Sequence, residues 1–414
     1  MDRTTLRRRA RWGLLFAMVL LLASSLAGTA AAATALAAPT GGLPGKVAGI
    51  SAEAQGHVGP FIDGRGNLYT VAEITAADAR MKMMKSADGG RTWTEMDGAN
   101  RPVRYDLEAV WMVQEGTALY IVHQRSGGGV HHHVFDTSDA ATAPDKWRLK
   151  DETVASPSAP RDQYVSLVRL GNGDLWAFYG LNSGGNRIGY RKKPVGGAWG
   201  AQVLLDTVST GQAVAVRGAG DTTHIFYKDE TNRQIKHKTL TASGVLSAAQ
   251  RVDDNGVNAV HSPMTNAVFF DDGGVETLVV AWANAAGALR SAQVRGGVAT
   301  EEVALSTASV VLDPDSTTNR AAVAHLALDG QTVHALWSDG ATADVFHDVS
   351  SGAGWGTDVE IKDGVSAHWL YGTVFTHNTA NGGQRVLGYL YDNNVDNNPD
   401  TDGIEYDELR LGGG

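Results

Sequence analysis

Short apolar runs recur along the chain at a nearly constant step. They are Leu68-Tyr69-Thr70-Val71, Leu119-Tyr120-Ile121-Val122, Leu175-Trp176-Ala177-Phe178, His224-Ile225-Phe226-Tyr227, Leu278-Val279-Val280-Ala281, Val333-His334-Ala335-Leu336 and Val386-Leu387-Gly388-Tyr389. Their first residues lie 51, 56, 49, 54, 55 and 53 positions apart. Aromatic and β-branched residues dominate them, as strands prefer. Polar turns come before them, among them Asp63-Gly64-Arg65-Gly66-Asn67, Gly171-Asn172-Gly173-Asp174, Asp271-Asp272-Gly273-Gly274 and Asp329-Gly330. Gly and Asn supply the positive φ that tight hairpins need. Each unit therefore reads as an inner strand, a Gly-rich turn, a second strand, a polar loop, and one or two outer strands. No helical period persists beyond the N-terminal segment. A fixed period near fifty residues built from short strands predicts an all-β fold, a β-propeller of seven blades. Six blades with a terminal extension is the alternative. A closed ring hides its sheet edges by pairing one terminus with the other. The segments Val47-Ala48-Gly49-Ile50 and Ile404-Glu405-Tyr406-Asp407-Glu408-Leu409 suit that pairing.

Tryptophans mark the same period. Trp93, Trp147, Trp199 and Trp355 are separated by 54, 52 and 156 residues. The first closes the turn Ser86-Ala87-Asp88-Gly89-Gly90-Arg91-Thr92-Trp93. This turn resembles the Asp-box (BNR) motif of the sialidase superfamily. The segments around the other three tryptophans look like eroded copies. The run Leu170-Gly171-Asn172-Gly173-Asp174-Leu175-Trp176-Ala177-Phe178-Tyr179 is similar to the blade pattern of BNR-repeat proteins. The resemblance implies that Asp88 shapes an outer hairpin, away from the catalytic face. The turn chemistry agrees, because Asp and Ser side chains hold backbone amides there. In sialidases three arginines bind the substrate carboxylate, the first in an Arg-Ile-Pro tripeptide on the first inner strand. The matching stretch here is Gly56-His57-Val58-Gly59-Pro60, which has no arginine. The sialidase catalytic signature is not matched.

The first 37 residues read as a secretory signal peptide, leaving 38–414 as a single propeller domain. Arg3, Arg7, Arg8, Arg9 and Arg11 precede the apolar run from Gly13 to Ala23, and Ala35-Leu36-Ala37 forms a small-residue cleavage site. The expected location is extracellular, with no membrane anchor. The whole chain carries a net charge of −10, which becomes more negative without the basic leader. An acidic surface argues against nucleic acid. The chain has no cysteine, so packing without disulfides must hold the fold.

In a propeller the inner strands line a central channel, and their starts carry the site. Polar residues there include His57, Tyr105, Glu108, Arg161, Tyr164, Gln212, His261, Arg320, His368 and Tyr371. His57, His261, Tyr164 and Arg161 are the expected catalytic groups. Arg320, Tyr371, His368 and Glu108 are the expected substrate-binding groups. Such a set suits removal of a sugar C5 proton, with Arg or His neutralising a uronate and Tyr or His serving as base and acid. Some BNR-class polysaccharide lyases resemble this pattern. A glycosidase would need two carboxylates, for which Glu73, Glu108, Asp162 and Asp229 are candidates. The expected partner is an extracellular glycan or polysaccharide. The alternative is a propeller that binds glycan or protein without catalysis.

Two features bear on metals. The run His131-His132-His133 has zinc-binding residue types without acidic or Cys partners at suitable spacing. The tail from Asp392 to Gly403 is rich in oxygen donors, and Asn398, Asp400 and Asp402 follow the start of an EF-hand-type loop. The closing Glu of such a loop is replaced by Leu409. A single structural Ca²⁺ is the expected ligand there, and no other cofactor is required.

Overall fold

The computed structural model describes residues 45–47, 55–75, 78–97, 101–102, 107–125, 129–138, 146–156, 160–181, 187–208, 210–254, 256–257, 264–284, 286, 288–309, 324–338, 344–350, 354–363, 365, 367–377, 383–393 and 403–412. They belong to the unit Ala38–Gly414. Seven sheets of four or five strands follow one another along the chain. Their inner strands are Phe61–Ile62, Leu107–Glu115, Pro160–Arg169, Thr210–Arg217, Ala267–Asp272, His325–Asp329 and Ala367–Thr376. The second strands are Leu68–Thr75, Ala118–Arg125, Leu175–Leu181, Thr223–Asp229, Val275–Ala283, Thr332–Ser338 and Arg385–Asn393, and each holds one of the seven apolar runs. The fold is a seven-bladed β-propeller, and the six-bladed alternative falls.

The second strands are apolar because both faces are covered by neighbouring blades. Every residue of Leu175–Leu181 and of Thr223–Asp229 is buried. Burying an aliphatic or aromatic side chain is worth about 1.5–3 kcal/mol, so these strands supply much of the core. The ring closes at the termini. Gly45–Lys46 pairs antiparallel with Gly403–Arg410, and the Val47 amide donates to the Ile404 carbonyl at 2.9 Å. The N-terminal strand thus becomes the outermost strand of the last blade.

The first inner strand changes partner midway. Gln55–His57 pairs in parallel with Leu107–Glu115 of the second blade, placing His57 beside Trp111. Four residues later, Phe61–Ile62 pairs antiparallel with Leu68–Thr75 of its own blade. Gly59 makes the switch at φ 106°. A Cβ there would stand 2.7 Å from the Phe61 nitrogen, so a side chain is excluded.

The tryptophans pack each blade against the one before it. Trp93 lies edge-on to Tyr406 of the last blade, with ring centroids 5.7 Å apart. The indole of Trp147 donates to Asp97 at 3.3 Å, that of Trp199 to Glu152 at 3.1 Å, and that of Trp355 to Ser291 at 2.7 Å. The turn before Trp93 holds itself together. Asp88 accepts from the Thr92 amide at 2.9 Å and from the Thr92 hydroxyl at 2.6 Å, and Ser86 accepts from the Gly90 amide at 2.8 Å.

Candidate functional site: the central channel

The inner strands enclose a cavity of about 540 Å³ to which all seven blades contribute. Phe61, Trp111, Phe269 and Leu326 give it apolar walls, and Gln114 and Asn266 add amides. An innermost strand has unpaired backbone groups on its open edge, which must find partners when buried. Side chains from the preceding blade meet several of them. The Ser166 hydroxyl accepts from the Ala215 amide at 3.0 Å. The Gln212 amide group spans both the N–H and the carbonyl of Met264. Asn266 does the same for Leu326, at 2.9 and 2.7 Å. His325 Nε2 donates to the Gly372 carbonyl at 3.2 Å, and His57 Nδ1 to the Met112 carbonyl at 3.1 Å. Polar residues on inner strands are thus ties between blades as well as channel groups.

His57 and His325 form an aromatic stack with ring centroids 5.7 Å apart. Trp111 lies 5.7 Å from His57, and the Tyr371 ring meets His325 edge-on at 5.9 Å. Burial lowers the pKa of both imidazoles. His325 is pushed down to about 3, by burial first and by the neighbouring His57 second. For His57 the carbonyl of Met112 opposes the burial effect but does not cancel it. Both rings are therefore neutral at pH 7. Since a carbonyl can only accept, each carbonyl-bound nitrogen carries the proton, and the other ring nitrogen keeps a lone pair. On His325 that nitrogen is buried without a hydrogen-bond partner. On His57 it belongs to a residue that lines the cavity.

The two ends of the inner strands differ. At the starting end, register against the second strand is broken in four blades, between Leu107 and Ala109, Pro160 and Val165, Thr210 and Ala213, and Ala367 and Leu370. Such bulges re-aim side chains and are common beside active sites. Glu108, Arg161, Tyr164, Gln212 and His368 all fall inside these interruptions. At the finishing end ion pairs predominate. Arg169 meets Glu115 at 3.3 Å, Arg217 meets Asp221 at 2.9 Å, and the Gly171 amide donates to Asp221 at 2.6 Å. These charges hold turns together across blades.

Of the residues expected from sequence, His57 and Tyr371 converge on the same aromatic cluster. The strands carrying Glu108, Arg161, Tyr164 and His368 are in place, while the side chains of these four residues, and those of Glu73 and Asp162, lie outside the described part. His261, Arg320 and Tyr105 also lie outside the described residues, as do Asn398, Asp400 and Asp402 of the expected Ca²⁺ loop. Asp229 is spent in a turn, accepting from the amides of Thr231 and Asn232 at 3.0 Å each. The histidine run is occupied too. His133 Nε2 bonds His123 Nδ1 at 2.8 Å, and His132 bonds Glu152 at 2.7 Å. Among the described residues no group of three His, Asp or Glu is arranged to hold a metal. Sequence reasoning missed His325 and Asn266. Each stands three residues before the inner-strand partner of the first residue of its apolar run, a position the repeat itself could have flagged.

No known sequence-family profile and no curated protein sequence matches the chain. Solved structures do resemble it. A lectin from Burkholderia pseudomallei aligns with a TM-score of 0.54 at 11% identity, covering 89% of this chain and 99% of the lectin. An ulvan lyase from a new family of polysaccharide lyases aligns with a TM-score of 0.51 at 12% identity, covering 87% of this chain and 96% of the lyase. At these identities the likeness is one of fold.

Proposed function

We propose that this protein is exported through its N-terminal 37 residues, binds an extracellular glycan in its channel, and cleaves a uronate-containing chain by elimination. The observation that carries this reading is His57. It is a neutral imidazole on the cavity wall, with Nδ1 committed to Met112 and Nε2 left with a lone pair. A base of that kind can take the proton from sugar C5. The electron pair then forms the double bond between C4 and C5, and the bond from C4 to the glycosidic oxygen breaks. The leaving oxygen takes a proton from an acid, a role we assign to Tyr164. Arg161 would neutralise the uronate carboxylate and so favour loss of the C5 proton. Bulged backbone at the start of Pro160–Arg169 supports that placement. Phe61 and Trp111 give the apolar surface on which sugar rings stack. The proposed Ca²⁺ at Asn398, Asp400 and Asp402 is structural and stands outside this chemistry.

The second reading is a channel that binds glycan without cleaving it. The bond from His57 to Met112 favours it, because a tie between blades explains that histidine without catalysis. The full chain incubated with uronate polymers, followed by ultraviolet absorbance of the unsaturated product, separates the two. Elimination predicts product from the native protein and a loss of at least about 100-fold in His57→Asn, which can still donate towards Met112. Equal turnover in His57→Asn would sink the assignment of the base. Retention on an immobilised polymer without unsaturated product would leave binding alone.

A further inference from the structure

The interfaces between blades two and three and between blades five and six are equivalent in register and filled differently. His132 pairs with Val122, and Ser291 with Ala281, each three residues after the start of its apolar run. Glu152 lies opposite His132, and Val303 opposite Ser291. On the following blades Lys193 pairs with Leu175, and Ser350 with Val333, both at the start of the run. Trp199 and Trp355 also correspond. Each precedes a glycine whose amide donates back to the adjoining strand, Gly200 to Lys192 at 2.8 Å and Gly356 to Val349 at 3.2 Å. Three large or charged side chains at the first interface, His132, Glu152 and Lys193, are thus Ser291, Val303 and Ser350 at the second.

The first set fills its interface. Glu152 binds His132, Lys193 and the Trp199 indole together. The smaller set leaves a cleft of about 220 Å³ bordered by Trp355, Ser291, Ser350, Val303, Gln293 and Glu301. Trp355 is held there by its bond to Ser291 at 2.7 Å. Its indole and the methyls of Val303 offer apolar surface. The hydroxyl of Ser291 and the Glu301 carboxylate offer polar contacts. An aromatic ring beside a few convergent polar groups is the composition that recognises sugars. The volume is below the roughly 300–1,000 Å³ of drug-sized pockets and suits a single ring. The carboxylate accepts from sugar hydroxyls and repels an acidic sugar.

We propose that this cleft, outside the channel, is a second carbohydrate site that takes one neutral sugar residue. It anchors the glycan without acting on it.

The test is calorimetric titration of the full chain with methyl glycosides of galactose, glucose, mannose, fucose and glucuronate. Binding is read without turnover, so the result stands apart from the chemistry of the channel. A neutral glycoside is expected to bind with a dissociation constant on the order of 1 mM, and the glucuronide at least about tenfold more weakly. Ser291→His, which restores the side chain of the filled interface, should weaken the neutral sugar at least about tenfold. Glu301→Gln should do so as well. Glu301 is exposed, so that variant keeps the packing intact. The proposal is overturned if no neutral glycoside binds, if the glucuronide binds as tightly, or if both variants bind as the native protein does.

Discussion

Blades two and three meet over a half-buried carboxylate with three donors, while blades five and six meet over two serines and a valine. The strands, register and tryptophan are the same in both places. The difference teaches that the propeller scaffold does not require a filled interface at every step. Where side chains are large and charged, they must be fully paired to be buried. Glu152, half-buried, is paired in this way: although burial opposes ionisation, bonds from His132 and Lys193 hold its pKa at about 2. Where they are small, the interface can leave an opening at no electrostatic cost.

Acid should separate the two interfaces most. His57, His132, His133, His224, His237, His325, His334 and His347 all have pKa values lowered from 6.5, burial being the largest cause for each. The unfolded chain therefore binds more protons than the folded one once pH drops below 6.5, and stability is lost as pH falls towards about 3. Asp97 and Asp348, raised to about 6 mainly by burial, act the other way between about 6 and 4. Two such groups are outweighed by eight histidines. Thermal unfolding should show a midpoint that falls steadily from pH 7 to 4, and a level or rising midpoint would refute this account. Hydrogen exchange should show amides around His132 losing protection earlier than those around Ser291.

Removing the shared carboxylate comes next. Glu152→Ala leaves His132 and the Trp199 indole without their acceptor and should cost about 2–3 kcal/mol in denaturant unfolding. A cost under about 0.5 kcal/mol would mean that the cluster is solvated and not a tie. Truncating the paired tryptophans gives a smaller, differential effect. Trp199→Ala should cost about 1 kcal/mol more than Trp355→Ala, because Trp355 already borders open space and loses fewer contacts. Equal costs would erase the contrast. The smallest effect is Ser291→Ala, which removes the acceptor of the partly exposed Trp355 indole at an expected cost of about 0.5 kcal/mol. No change in unfolding would show that water replaces the hydroxyl.

Much of the architecture was legible because propeller blades repeat. The step from Leu68 to Val386 located all seven second strands, whose central residues are packed on both faces and form the apolar runs. Trp93, Trp147, Trp199 and Trp355 were legible as markers of the same period, and each packs or bonds to the blade before it. The site was less legible. His57 stood out through its place before the first inner strand, and it does line the channel. Its bond to Met112 spans 55 residues, and no local pattern encodes such a contact. Gln212 looked like a rim group and is a clamp on Met264. His325 and Asn266 escaped notice because a polar residue at the start of an inner strand has no local signature of what it faces.

The chain by itself determined the fifty-residue period, the strand that carries each apolar run and the C-terminal segment that closes the ring, and it left six or seven blades open. Those follow from spacing and polarity, which are properties of neighbouring residues. Only the tertiary structure decided which polar groups serve as ties, which nitrogen of His57 is committed to Met112, and which interface stays open. These depend on groups brought together from different blades, about fifty residues apart in sequence, where hydrogen bonding and excluded volume act through space. The contrast between His132 and Ser291 exists in the sequence as two letters, and it becomes a filled interface and a cleft only once the blades close into a ring.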